Sequence, residues 1–265
     1  MTNPAVIREL DARGVATVTL NRPTVNNAYN AELIAGLLTT LDVLFSQSSL
    51  RVVVIRGAGR HFQAGADLAW LNEVAQASYD DNLAASRATA EAVHRLNNVR
   101  VPTVAVIQGG CFGGGTGIAA ACDVVIAADN AIFSIPETRW GLIAGIIIPQ
   151  LNDAIGARQV RRYALTGERF DAHEARRIGL VHEVVPLAEL EAAGAKAVDR
   201  LLQNAPEANA QTKAIAIEHA WGDLSPERLA RLIEQHAVKR QSAEAAEGLA
   251  SFREKRQAAW YRRPS

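Results

Sequence analysis

Twice in this chain a short run of β-branched residues empties into a glycine-containing loop and then into a helical pattern. Arg51-Val52-Val53-Val54-Ile55 runs into GAGRHFQAGADL, and TVAVI, opened by Pro102, runs into GGCFGGGTGIAAACD. A third such run, VVIAA, follows directly. Apolar runs of this length bounded by glycine are buried strands, and the helical segments between them are crossovers. Strand, glycine loop and helix in succession predict an α/β fold of βαβ type with right-handed connections. The spacing is too irregular for a solenoid of fixed period.

The remaining segments fit around that unit. Val6 to Leu20 reads as a hairpin, VIREL and VATVTL joined by a DARG turn. Leu33, Ile34, Leu37, Leu38, Leu41 and Leu44 recur at helical spacing, with Asn30 as the expected N-cap. A helix is predicted roughly over Asp80 to Asn97. From about Arg158 the pattern is helical: AHEARRIG, LAELEAAGAKAVDRLLQ, NAQTKAIAIEHA, SPERLARLIEQHAVKR and AEAAEGLASFREKR. Leu229, Leu232 and Ile233 form an apolar stripe with charges opposite. The chain divides into a core over residues 1–200 and a helical region over 201–265, with no linker rich in Pro, Gly or Ser between them.

Composition narrows the function classes. The 265 residues carry a formal net charge of zero, so no global field draws the chain to nucleic acid or an anionic membrane. An anionic ligand has to be held by local groups. With 49% hydrophobic residues, a core of this size needs no disulfide or metal. The two cysteines, Cys111 and Cys122, form no CxxC pair, which fits a reducing compartment. MTNPAVIREL has no basic segment followed by an apolar run, and the apolar run around Ile143 to Ile148 is too short to span a bilayer. A cytoplasmic protein is expected. The six histidines lack ligand spacing such as HExxH, so no metal is expected. Cys111 has no histidine paired with it by motif and reads as packing rather than as a nucleophile.

The loop GGCFGGGTGIAA is the sharpest local feature. Three consecutive glycines cost entropy and offer no side chain, so they belong where backbone approaches something closely. The first N–H groups of a helix are unpaired and sit at the positive end of its dipole. Phosphate fingerprints fail here: there is no Gly-Lys-Ser/Thr, and G-x-G-x-x-G read from Gly113 would need glycine at Ile118. Such N–H groups can instead hold an oxyanion, which takes a second donor from another loop. FQAGADL offers one, since Gly65 lets the chain turn and frees the N–H of Ala66. Spacing alone leaves open that both loops are only tight strand-to-helix turns.

These residues resemble the crotonase superfamily, the enoyl-CoA hydratases and isomerases. LNRPTVNNAYN (Leu20 to Asn30) looks like the family's LNRP…NAxN segment. The resemblance continues through HFQAGADL (His61 to Leu68) and PTVAVIQGGCFGGGTGIAAACDVVIAADNAIFSIPE (Pro102 to Glu137). It extends through LTGERFDAHEARRIGLVHEVVP (Leu165 to Pro186) to the closing FREKR (Phe252 to Arg256). It implies a spiral of ββα repeats with a helical C-terminal trimerisation region, a homo-oligomer that is a trimer or a dimer of trimers. It implies an acyl-CoA thioester substrate, with coenzyme A carried by the substrate and no separate cofactor. It places the oxyanion donors at the backbone N–H groups of Ala66 and Gly114. Asn27, Ala28 and the Ala64 to Leu68 loop, including Asp67, would line the coenzyme A site. Phe252 and Lys255 would reach its adenine or phosphate end, in their own or a neighbouring subunit. Arg22 and Arg60 are further candidates for the phosphates, and read equally well as surface charges.

Hydratases of this family typically use two glutamates, one in GGGxE and one in a PE motif. Here the first position is Gly117 and the second is Glu137, after Pro136. On the residues alone, Glu137 is also readable as a surface group after a proline turn; the resemblance makes it the catalytic carboxylate. Ile132, Ile135, Trp140 and Leu142 are the expected apolar surroundings that raise its pKa. Trp70 and Trp140 read either as acyl-pocket walls or as core. A lone glutamate resembles Δ3,Δ2-enoyl-CoA isomerases. GGGxG also resembles hydratases of branched glutaconyl-CoA thioesters, as do GLIAGIIIPQL and ADLAWL…NLAASRA, which favours that type. A non-catalytic CoA-binding homologue is the remaining alternative. Arg139 could face a substrate carboxylate, but a basic residue there is common across the family. Gly117→Glu is expected to raise activity on a simple enoyl-CoA if the pocket has room.

Overall fold

The computed structural model describes residues 4–220, 227 and 243–262. Its strands form two sheets. The larger has six strands in the order β1 (Val6–Leu10), β2 (Val15–Leu20), β3 (Val52–Gly57), β4 (Thr103–Ile107), β6 (Val124–Ala128), β9 (Glu183–Val185). The hairpin β1–β2 is antiparallel and every later pairing is parallel. The smaller sheet is β5 (Gly110–Phe112), β7 (Ile132–Ser134) and β8 (Phe170–Asp171).

The chain therefore climbs in a repeating step: one strand in the large sheet, one in the small sheet, then a helix. β4, β5 and α4 (Gly114–Ala120) make one turn, and β6, β7 and α5 (Ile148–Thr166) make the next. β3 opens an earlier turn whose second strand is reduced to one residue, Gln63, bridged in parallel to Cys111. This is the ββα spiral that the resemblance implies.

Alternation along the central strands explains why both faces are covered. Val53, Ile55, Ala105 and Ile107 point into one core with Leu33, Leu37, Leu41 and Leu44 of α1 (Ala31–Ser46). Val52, Val104, Val106 and Ile126 point into a second, with Leu190, Val198 and Leu202 of α7 (Leu190–Gln203). Burial on both faces is why these strands read as unbroken apolar runs. Asn30 caps α1 as expected, its side chain accepting from the N–H of Leu33.

Some boundaries differ from expectation. The helix expected from Asp80 is α3 (Tyr79–Asn97), capped by Ser78. A separate helix, α2 (Leu68–Gln76), precedes it, capped by the Asp67 side chain on the N–H of Ala69. Two short strands, β8 and β9, flank α6 (Ala172–Ile178) beyond Arg158, where strands nearly vanish from the sequence pattern; β9 is the return strand that the resemblance implies for Leu165 to Pro186. α8 (Pro206–His219) and α9 (Ala243–Glu254) follow, whereas the apolar stripe of Leu229, Leu232 and Ile233 lies outside the described residues. The C-terminal part packs back on the core. Arg51 donates to the carbonyls of Leu202, Asn204 and Trp260, and Lys213 pairs with Asp123 at 2.7 Å. Among the described residues no helix is long and apolar enough to cross a membrane.

Candidate active site

The site is assembled where three chain turns meet. Tyr29 and Ala66 form an isolated parallel bridge: the N–H of Tyr29 donates to Gly65 O at 2.8 Å, and the N–H of Asp67 donates to Tyr29 O at 2.9 Å. In a parallel bridge of this kind the N–H of the central residue faces the other way. The N–H of Ala66 accordingly donates to no acceptor among the described residues. Gly65 sits at φ +87°, a left-handed turn that a side chain would strain, and this turn aims the next amide.

The second free amide begins α4. Gly113 has φ +50° and donates to Ser134 O at 2.9 Å, locking the end of β5 to the end of β7. The N–H of Gly114, first in the helix, has no acceptor among the described residues. The glycines here leave room for named neighbours. A Cβ on Gly113 would lie 2.7 Å from Glu137 Oε1, and one on Gly114 would lie 2.6 Å from Tyr29 Cε1. The glycine loop is thus the surface against which Glu137 and Tyr29 are both packed.

β7 delivers Glu137 through Ser134, Ile135 and Pro136 to a single 3-10 turn, Glu137–Trp140, ended by Gly141 in the left-handed region. Its Oε2 is buried and has no hydrogen-bond partner among the described residues. Burial raises the pKa above the ordinary glutamate value, partly countered by a hydrogen bond from its own N–H. The expected apolar walls need correction. Ile135 is buried, but Trp140 is 67% exposed and Leu142 is 43% exposed, so neither encloses the carboxylate in this chain. Trp140 ends the 3-10 turn with its side chain outward, and Leu142 lies beyond the Gly141 cap. The groups that do lie against Glu137 are the Gly113 backbone and, within reach of its charge, Tyr29.

Tyr29 was not singled out by sequence reasoning. Its ring packs edge-on to Trp70, centroids 5.6 Å apart, and burial, then the charge of Glu137, push its pKa up to about 12. The only signal available was a tyrosine at the variable place of the NAxN segment.

The position of the family's other glutamate is closed. A Cβ on Gly117 would fall 2.2 Å from Ile147 Cγ2 and 2.7 Å from Ile147 Cβ, and Ile147 is buried. The condition under which Gly117→Glu was expected to raise activity, room in the pocket, is not met: the space is occupied by the Ile147 side chain.

The coenzyme A candidates divide. The side chain of Asn27 is fully buried, its amide donating to the carbonyls of Ala58, His61 and Phe62 and its oxygen accepting from the N–H of Arg22. It is a clamp between two loops, so it cannot line a ligand surface. Arg22 is likewise engaged, with Ala28 O and with Asp67 at 3.0 Å. Burial opposes ionisation of Asp67, but the hydrogen bonds from Arg22 and Ala69 outweigh it and hold its pKa below the ordinary value. Ala28 is buried, Ala64 is half-buried and donates to Asn26 O, and Leu68 is 62% exposed at the mouth of the loop. Lys255 is exposed just beyond α9; Arg60 is exposed too. The Phe252 side chain lies outside the described residues. Arg139 packs on the turn after α5, donating to Thr166 O at 3.3 Å. Cys111 is fully buried and burial, then Cys122, raise its thiol pKa, which leaves it unreactive.

With this geometry in place, comparison with known proteins identifies the class. The profile of the enoyl-CoA hydratase/isomerase family matches residues 11–263, and the chain belongs to that family. It is 31% identical to the mevalonyl-coenzyme A hydratase of Beauveria bassiana, over 93% of this chain and 91% of that one. It is 31% identical to the mitochondrial Delta(3,5)-Delta(2,4)-dienoyl-CoA isomerase of Dictyostelium discoideum, over 93% of this chain and 87% of that one. Among solved structures, an enoyl-CoA hydratase from Shewanella pealeana superposes with a TM-score of 0.91 at 32% identity, covering 97% of this chain and 96% of that one. The chain is an enzyme of the enoyl-CoA hydratase/isomerase type.

Proposed function

We propose that the enzyme adds water across the 2,3 double bond of a branched, glutaconyl-type acyl-CoA thioester. The amides of Ala66 and Gly114 hold the thioester oxygen. Glu137 takes a proton from water as its oxygen bonds to C3, and the displaced π electrons form an enolate on the thioester. Glu137 then returns the proton to C2. Each amide would supply on the order of 3 kcal/mol to the enolate-like transition state. The observation that carries the reading is the buried, unpartnered Oε2 of Glu137 beside the start of α4. A buried carboxylate oxygen with no partner in its own fold is available to a substrate.

The branched substrate is supported by the GLIAGIIIPQL departure, which brings Ile147 over Gly117. A relative named for mevalonyl-CoA, itself a 3-methyl-branched thioester, points the same way. One observation favours a second reading, isomerisation of the double bond: Gly117 leaves Glu137 without a second glutamate, and a single carboxylate is sufficient to shuttle one proton between two carbons. The same relatives include a dienoyl-CoA isomerase. Assay with crotonyl-, 3-methylglutaconyl- and 3-enoyl-CoA separates the two. The hydratase reading predicts fastest turnover, with uptake of water, on 3-methylglutaconyl-CoA; turnover confined to the 3-enoyl thioester refutes it. Self-association into trimers or hexamers belongs to the same proposal, and a stable monomer in sedimentation velocity contradicts it.

A further inference from the structure

A lone carboxylate leaves the hydration step incomplete. Water carries two O–H groups, and Glu137 accepts one of them. The usual partner for the other is missing, since Gly117 has no side chain and Ile147 fills the space beside it. The Tyr29 ring packs on Gly114, the first residue of the helix that carries Gly117. Its backbone is bridged to the Ala66 loop, its Cε1 and Cδ1 atoms lie against Gly114, and it makes a T-shaped contact with Trp70. It is thereby wedged between the two loops that carry the free amides.

The phenol itself is uncommitted. Its hydroxyl makes no hydrogen bond among the described residues, including none to Glu137. Yet the Glu137 charge is felt at the ring and helps keep the phenol neutral across the physiological range. Glu137 packs on Gly113 and Tyr29 on the adjacent Gly114, and the unpartnered oxygens of the two side chains offer both ends of a seat for a bridging molecule of water. A ring used for packing alone gains nothing from a hydroxyl left unbonded.

Building on the hydratase reading, we propose that Tyr29 is a water-positioning residue: its hydroxyl, with Glu137, holds the water that adds to C3. In the step, the water oxygen bonds to C3 and one O–H breaks, its proton passing to Glu137. The C2–C3 π pair becomes the enolate. The second O–H stays intact on the new 3-hydroxyl, accepted throughout by the Tyr29 oxygen. Tyr29 neither gains nor loses a proton.

The test compares wild type, Tyr29→Phe and Glu137→Gln in two reactions. The first is hydration of the best substrate. The second is exchange of the C2 protons of the corresponding saturated acyl-CoA in D2O, which uses the amides and Glu137 but no attacking water. Tyr29→Phe, which keeps the ring, should lower hydration kcat by about 10- to 100-fold while KM and the exchange rate stay within about threefold. Glu137→Gln should lose both. Hydration by Tyr29→Phe at the wild-type rate overturns the proposal, and so does a parallel loss of exchange, which assigns Tyr29 to shaping the loops. Wild-type protein that exchanges but hydrates no substrate overturns the hydratase reading, and the role of Tyr29 with it.

Discussion

The contact between Gly117 and Ile147 can be tested by a double-mutant cycle. A Cβ added by Gly117→Ala meets Ile147 Cγ2 at 2.2 Å and Ile147 Cβ at 2.7 Å. Rotation about χ1 moves Cγ2 but leaves Cβ fixed, so the backbone between α4 and the start of α5 has to give. Overpacking of this kind costs about 1–3 kcal/mol. Alanine in place of a helical glycine returns up to about 1 kcal/mol. Gly117→Ala should therefore range from neutral to destabilised by about 3 kcal/mol. Ile147→Ala, at a site 2% exposed, should lose about 2–5 kcal/mol through its cavity. Combined, the added methyl enters space the isoleucine vacates, so the double variant should beat the sum of the singles by about 1 kcal/mol or more. The assay is urea unfolding, with midpoints and slopes compared across the four proteins. Additivity, or a Gly117→Ala protein stabilised by the full helix-propensity gain, refutes the packing argument. The functional corollary is that Gly117→Glu lowers crotonyl-CoA hydration, because its carboxylate has no room beside Ile147.

Asn27→Ala should cost at least about 2 kcal/mol, since it strands the buried carbonyls that the amide satisfied, and thermal unfolding measures it. The acid limb of kcat should lie above the ordinary glutamate range, because in the proposed mechanism Glu137 works as the carboxylate and burial raises its pKa. The sign for stability is the opposite: a raised folded pKa favours the protonated form, so Glu137 stabilises at low pH and loses that contribution as pH rises through its folded value. Glu137→Gln should match wild type in melting temperature below the glutamate range and exceed it at neutral pH; a constant offset across pH would contradict the burial argument.

The periodic elements were legible because their physics is local. The β-branched runs at Val52–Gly57 and Thr103–Ile107, the Asn30 cap and the glycine loops each declare themselves within a few residues. α2 was not, since its nine residues follow the loop without a break and its cap, Asp67, read instead as a binding residue. Asn27 was misassigned for a similar reason: a motif marks that a polar side chain matters, but burial decides whether it meets ligand or backbone. Trp140 and Leu142 read as pocket walls from their apolar type, but apolar type predicts burial only on average, and both are exposed at and just beyond the 3-10 turn. Tyr29 and Ile147 were invisible because their roles depend on glycines distant in sequence, Gly114 and Gly117.

The central claim is that Glu137 alone performs the proton chemistry. Glu137→Gln preserves shape and most hydrogen bonding but removes the acceptor for a proton. Turnover of the best substrate by this variant, measured with its KM, tests the claim most directly. The account predicts kcat reduced by roughly 10²–10⁴-fold with KM little changed. Turnover near the wild-type rate would contradict it and make another side chain, or the carboxylate of the substrate itself, the base.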